Sequence, residues 1–237
     1  MSAAFVVFDL DGTLIDGYDA IGDALAYAME RLGAPALPPE RVRVLVGHGI
    51  DRLLEKAVGR ERAAEGVRLF RERYPEVAVE KTRLLPGVRD VVAALDALGY
   101  RMAVASNKPA RFSRMILEAK GVARYFVEIA GPDENTPTKP DPTMLRGLMR
   151  AAGTSPGSTV VVGDMEVDSE FGRAAGCRVL LVPGGSRSRE ELKSVPSDAL
   201  LEKLTDLPSW LEKNERTHGT GNTAGGTTIG FMTRDES

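Results

Sequence analysis

Five short stretches of this chain, residues 4–8, 100–105, 125–130, 159–162 and 178–182, are nearly continuous in apolar residues instead of alternating apolar with polar. A strand with that pattern is covered on both faces, and such strands belong to parallel sheets flanked by helices. Helical patterns lie between the later stretches, at residues 88–98, 110–120, 142–152 and 167–175. Each ends beside a glycine suited to a C-terminal cap: Gly99, Gly121, Gly153 and Gly176. Successive βα units and an α/β fold with a parallel sheet are therefore expected.

One segment departs from that rhythm. Between residues 16 and 85 no strand pattern occurs. Ile21, Leu25, Ala28, Met29 and Leu32 step at helical spacing instead, as do Ile50, Leu53, Leu54, Ala57 and Val58. The spacing predicts a helical unit inserted after the first strand, hinged at Asp16-Gly17 and Leu85-Pro86-Gly87. Residues 1–15 and 86–213 then form the core. From Asn214 onward five glycines and six threonines replace large apolar residues, so 214–237 reads as a disordered tail.

Composition narrows the chemistry. Lysine and arginine total 31 against 34 acidic residues, which offers no basic footprint for nucleic acid or an anionic membrane. No apolar run approaches the roughly 20 residues of a membrane span. The early Asp9 and Asp11 do not suit a signal peptide, so a cytoplasmic location is expected. A single cysteine, Cys177, and two distant histidines, His48 and His218, argue against a disulfide framework or a His/Cys zinc site. Carboxylates, hydroxyls and lysines are left to carry the chemistry.

Those groups follow the apolar stretches directly. The first runs into Asp9-Leu10-Asp11-Gly12-Thr13, the second into Ser106-Asn107-Lys108, and the fourth into Gly163-Asp164 and then Asp168. The carboxyl ends of parallel strands share one edge, where ligands bind. Asp9 and Asp11 are two residues apart, so in extended backbone they lean to one side, about 6 to 7 Å apart along the chain. Together with Asp164 and Asp168 they would repel one another unless protonated or neutralised. An oxygen-rich site with few histidines favours Mg²⁺. Any one of these aspartates alone could be a turn or helix cap, Asp168 above all, because an acid near a helix N-terminus is favourable in its own right. Only eight of the 31 basic residues are lysines. Lys108 follows a strand, where a cleft would need a compact cation, although a lysine there reads first as a solvated surface residue. Lys139, fenced by Pro140 and Pro142 before a helix start, belongs near the functional edge, where a lysine serves phosphate as a point charge.

Phe8-Asp9-Leu10-Asp11-Gly12-Thr13-Leu14, Ser106-Asn107-Lys108-Pro109, Lys139-Pro140-Asp141-Pro142 and Gly163-Asp164 with Asp168 resemble, in order, the four motifs of the haloacid dehalogenase superfamily. Within it the chain resembles the phosphoglycolate phosphatase branch. The resemblance covers residues 5 to about 183 and implies a Rossmann-like core with a helical cap at 16–85. It implies Asp9 as the nucleophile that becomes an aspartyl phosphate, and Asp11 as general acid and then base. Mg²⁺ would be held by Asp9, the Asp11 carbonyl and Asp164, with Asp168 in support, while Ser106, Asn107 and Lys139 would bind the phosphoryl group. The halide-displacing members of the superfamily lack a carboxylic acid at the Asp11 position, so phosphoryl chemistry is favoured. Gly17 and Met165 depart from the residues frequent in relatives, which carry Ser or Thr and Ser there.

The resemblance implies a small phosphorylated metabolite as substrate, foremost 2-phosphoglycolate, handled by a monomer or homodimer. A β-phosphoglucomutase-like enzyme, a pyrophosphatase or a sugar-phosphate phosphatase of the same architecture is the alternative. A catalytically silent protein-binding module is the alternative of another class. The loop Val46-Gly47-His48-Gly49-Ile50 resembles the Gly-x-Gly loop of phosphoglycolate phosphatases. A helix N-terminus after Gly49 could meet a substrate carboxylate, or His48 could simply face solvent in a turn.

Overall fold

The computed structural model describes residues 5–132 and 136–216. Six parallel strands form its central sheet: β1 (Phe5–Phe8), β4 (Arg101–Ala105), β5 (Phe126–Ala130), β6 (Thr159–Gly163), β7 (Arg178–Leu181) and β8 (Ala199–Leu200). Their order across the sheet is β5-β4-β1-β6-β7-β8. β1 lies in the middle, pairing Phe8 with Val104 on one side and with Val162 on the other. All four of its residues are buried, as a doubly covered strand requires.

Alternation along the strands divides the core. Val6, Phe8, Val104 and Val162 point to one face, covered by α5 (Val88–Ala97), α6 (Ala110–Ala119) and α10 (Leu207–Arg216). Phe5, Val7, Ala103 and Val161 point to the other, covered by α7 (Thr143–Ala152) and α8 (Glu166–Ala174). A short α9 (Arg189–Leu192) precedes β8. Five of the six strands and α5 to α8 lie where the apolar stretches and glycine caps put them, to within a residue or two at each end.

The segment after β1 is helical, with an addition. Two short strands, β2 (Ile15–Asp16) and β3 (Arg83–Leu84), pair antiparallel and form a neck at its two ends. Between them run α1 (Tyr18–Arg31), α2 (Pro39–Leu45), α3 (Ile50–Val58) and α4 (Arg60–Val77). The residue pattern predicts no strand between 16 and 85, and β2 and β3 depart from it because a two-residue strand is too short to show a period. α4 buries Val67, Phe70, Tyr74 and Val77, one stripe at helical spacing, and packs chiefly on α1 and α3. At the other end of the chain α10 continues to Arg216, past the expected start of the tail at Asn214, because Leu207 and Leu211 are fully buried. The rest of that tail lies outside the described residues. No helix among the described residues is long and apolar enough to cross a membrane.

Candidate active site

The carboxyl ends of β1, β4 and β6 bring the predicted residues together. Asp9 continues the β1 ladder, donating its N–H to the Val162 carbonyl at 2.8 Å. The chain then turns sharply, with the N–H groups of Leu14 and Ile15 both directed at the Leu10 carbonyl. Gly12 makes that turn at φ +94°, and a Cβ there would lie 2.4 Å from Asp164 Oδ2. A side chain at position 12 is thus excluded both by backbone angle and by the carboxylate it would strike. The next residue, Thr13, donates its hydroxyl to Asp164 Oδ1 at 3.0 Å.

Lys139 is the hub of the buried polar cluster. Its ammonium donates to Asp9 Oδ1 at 2.5 Å, Asp168 Oδ1 at 2.7 Å and the Ala105 carbonyl at 2.9 Å, which uses all three of its protons. Asn107 fixes the lysine backbone, accepting from the Lys139 N–H at 2.7 Å and donating to its carbonyl at 3.2 Å. Asp168 takes the capping role and adds a contact with Lys139 that its sequence position does not reveal. Its Oδ2 accepts from the N–H groups of Asp164 and Met165, at 3.2 and 3.1 Å, as a cap at the start of α8, while its Oδ1 orients Lys139.

Fully ionised, the three carboxylates Asp9, Asp164 and Asp168 would face one ammonium and leave two negative charges uncompensated. Burial pushes the Asp9 carboxyl up to about 7; Lys139 opposes the rise, and the neighbouring Asp168 and Asp11 charges add to it. Asp164 is also raised well above the usual carboxylate range, by burial first and then by Asp9 and Asp168. Burial works against the charge on Lys139, yet Asp168 and Asp9 hold it above the ordinary lysine value. Oxygens of the three carboxylates lie within 4.8 Å of one another. Asp164 Oδ2 is buried and has no hydrogen-bond partner. A buried, unpaired carboxylate oxygen in an all-oxygen set with a charge deficit of two fits a hard divalent cation. The Asp11 side chain is not part of that set, which leaves its backbone carbonyl as the group it could offer.

Asp11 is engaged elsewhere. Its Oδ1 accepts from Lys108 Nζ at 2.7 Å, with both side chains largely buried. Lys108 is therefore not the solvated surface residue its sequence position first suggests. Burial disfavours its charge, but Asp11 and the adjacent Tyr74 keep the ammonium above its usual value. The Lys108 ammonium sits 5.4 Å from the centre of the Tyr74 ring, a cation–π contact that joins α4 to the strand edge. Gly17 permits the pair, since a Cβ there would approach Asp11 Oδ1 to 2.6 Å. Tyr74 escaped the sequence reading because, four residues after Phe70, it looks like one more core position of a helix.

Above Asp9 and Asp11 is a chamber between the strand edge and the helical insert. Ile21, Ile50, Leu53, Phe70 and Phe112 wall it, with Ser106, Asn107 and Lys108 at its floor. Asn107 also closes one side by donating its amide to the Gly47 carbonyl at 2.9 Å. The side-chain amide of Asn107 is thus fully spent on backbone groups, whereas the Ser106 hydroxyl accepts only from the Lys108 N–H at 3.2 Å and keeps its proton to donate. Met165 meets the same loop, its sulfur filling the space a side chain on Gly47 would need. His48 lies outside the chamber, on an adjoining groove, where burial holds its imidazole below the usual value.

Comparison with known proteins agrees with this geometry. The family model for haloacid dehalogenase-like hydrolases matches residues 6–182. A phosphoglycolate phosphatase of Chromobacterium violaceum is 36% identical over 210 residues, covering 85% of this chain and 95% of that protein. One from Vibrio parahaemolyticus is 32% identical over 212 residues, covering 85% and 93%. The crystal structure of a predicted phosphoglycolate phosphatase from Haemophilus somnus superposes with a TM-score of 0.81 at 26% identity, covering 89% of this chain and 98% of that one.

Proposed function

The chain belongs to the haloacid dehalogenase-like hydrolases and is a phosphatase, and from that premise we propose that it hydrolyses 2-phosphoglycolate through a phosphorylated Asp9. The observation that carries the reading is the meeting of Asp9, Asp11, Lys139 and Asp164 at one strand edge, under a largely apolar chamber. Asp9 attacks phosphorus, and the bond to the leaving oxygen breaks. Asp11 supplies the proton that oxygen needs; Lys108 occupies its Oδ1, leaving Oδ2 to face the leaving group. Water then attacks the same phosphorus, Asp11 takes its proton, and the Asp9 carboxylate is regenerated. Ser106 donates to a phosphoryl oxygen, Lys139 joins it by turning to the phosphoryl group the proton it gives Asp9 in the free enzyme, and Asp168 keeps the ammonium aimed. Asn107 assists through its backbone and by pinning the Lys139 loop.

Asp9, the Asp11 carbonyl and Asp164 would hold Mg²⁺, with Asp168 supporting the set. When bound, the ion neutralises the charge deficit and polarises a phosphoryl oxygen. Residues 16–85 serve as a cap over the core formed by 1–15 and 86–213, and they exclude water from the first transfer. We place the enzyme in the cytoplasm, where small phosphorylated metabolites occur.

The test is a kinetic comparison of 2-phosphoglycolate with sugar phosphates and pyrophosphate in the presence of Mg²⁺. The highest kcat/KM is expected for 2-phosphoglycolate. Preferential interconversion of sugar phosphates without phosphate release would reject the hydrolase reading.

A further inference from the structure

The five arginines of α4 differ in one respect. Arg60 pairs with Glu55, Arg68 with Glu65 and Glu72, and Arg73 with Asp23 and Glu76, while Arg62 donates to the carbonyls of Val58 and Leu32. Arg71 has no ion pair or hydrogen bond among the described residues. It is also the arginine that reaches the substrate chamber, at the junction where the chamber opens into the groove beside His48. Among the described residues, the insert places only two polar side chains on the chamber wall, Arg71 and Tyr74. Tyr74 is already engaged with Lys108. The field at the mouth favours anions as well, since Arg52 and Arg111 line the groove against a single acid, Asp51.

We propose that Arg71 recognises a carboxylate on the leaving-group side of the substrate and so makes the enzyme selective for acid-bearing phosphomonoesters over neutral ones. The inference rests on the phosphatase reading above and deepens it. Asp9, Leu53, Phe70, Phe112 and Arg71 line one chamber, so a leaving group on a phosphoryl group at Asp9 would share that space with apolar walls and the guanidinium. A short acid meets apolar wall along its carbon and a charged donor at its end. A polyhydroxylated sugar would set several hydroxyls against the same wall with nothing to pair them, which disfavours it.

The experiment measures kcat/KM of wild type, Arg71→Met and Arg71→Lys on 2-phosphoglycolate and on its neutral analogue 2-hydroxyethyl phosphate. Wild type is expected to prefer the acid. Arg71→Met should lower the acid-to-neutral preference by about 10- to 100-fold, the range for losing a charge-assisted hydrogen bond, and Arg71→Lys should restore part of it. Position 71 is exposed on a helix, and thermal unfolding of both variants checks that the fold is kept. The inference is overturned if wild type shows no preference for the acid, or if Arg71→Met leaves the preference unchanged. Should other acid-bearing esters such as 3-phosphoglycerate outrank 2-phosphoglycolate and still depend on Arg71, the inference stands and the 2-phosphoglycolate reading fails. If 2-phosphoglycolate ranks first and its preference does not depend on Arg71, the reading survives and the inference fails.

Discussion

Replacing the proposed nucleophile should make the metal-free protein more stable. Asp9 is 8% exposed and shares a buried cluster in which three carboxylates face one ammonium. Its carboxyl is raised from 3.8 to about 7 in the folded chain. A raised carboxyl favours folding while protonated, below about pH 4, and that contribution is lost as pH rises through about 7. With about 1.4 kcal/mol for each unit of the shift, holding Asp9 ionised in the folded state costs on the order of 4 kcal/mol at pH 8. Asp9→Asn keeps the shape, offers a carbonyl oxygen to Lys139 and removes the charge. In EDTA at pH 8 the variant should therefore be more stable by up to about 4 kcal/mol, a rise in Tm of roughly 8 to 16 °C for a chain of this size. At pH 4 the two should differ by less than about 1 kcal/mol. Circular dichroism melts at both pH values measure this, and millimolar Mg²⁺ at pH 8 should narrow the gap by stabilising wild type. The reasoning is refuted if Asp9→Asn is no more stable than wild type at pH 8 without metal.

Three other outcomes follow from the same geometry. Asp9→Asn, despite its stability, should release no phosphate above background, and chelation should stop wild-type turnover until Mg²⁺ is restored, as a phosphate-release assay would show. Lys139→Met strands three buried carboxylates without a cation, so chemical denaturation at pH 8 should report a loss of about 3 to 5 kcal/mol, together with loss of turnover. Gly12→Ala forces a Cβ toward Asp164 Oδ2 at φ +94°. A drop of roughly 1 to 3 kcal/mol in stability, with weaker metal binding by calorimetry, is expected, and unchanged affinity would show that the turn does not shape the cation site.

What could be read from the sequence depended on how far apart the cooperating residues lie. The doubly buried strands carry their signature in a few consecutive residues, and a strand end places whatever follows it, so Asp9, Ser106 and Asp164 could be assigned to one edge from pattern alone. Lys108 could be placed at the same edge but not as a buried partner of Asp11, which lies 97 positions away, because nothing local distinguishes a buried ion pair from a solvated lysine. Leu53, Phe70 and Tyr74 were legible as a helix face but not as a chamber wall, because periodicity gives the apolar side of a helix and not what it packs against. The pairing of β2 with β3 and the two-residue β8 were hidden for a simpler reason: they are shorter than any period that could reveal them. Asp168 does cap α8, as an acid at that position suggests, but its contact with Lys139 was not legible, because the two residues lie 29 positions apart.

The proposal that phosphate passes through Asp9 is tested most directly by the stereochemical course at phosphorus. Hydrolysis of the phosphorothioate analogue of 2-phosphoglycolate, made chiral at phosphorus with sulfur and two oxygen isotopes and run in water carrying the third, gives thiophosphate whose handedness can be read. Two successive in-line displacements, first by Asp9 and then by water, predict overall retention of configuration. Inversion would mean a single direct attack by water and would contradict the account.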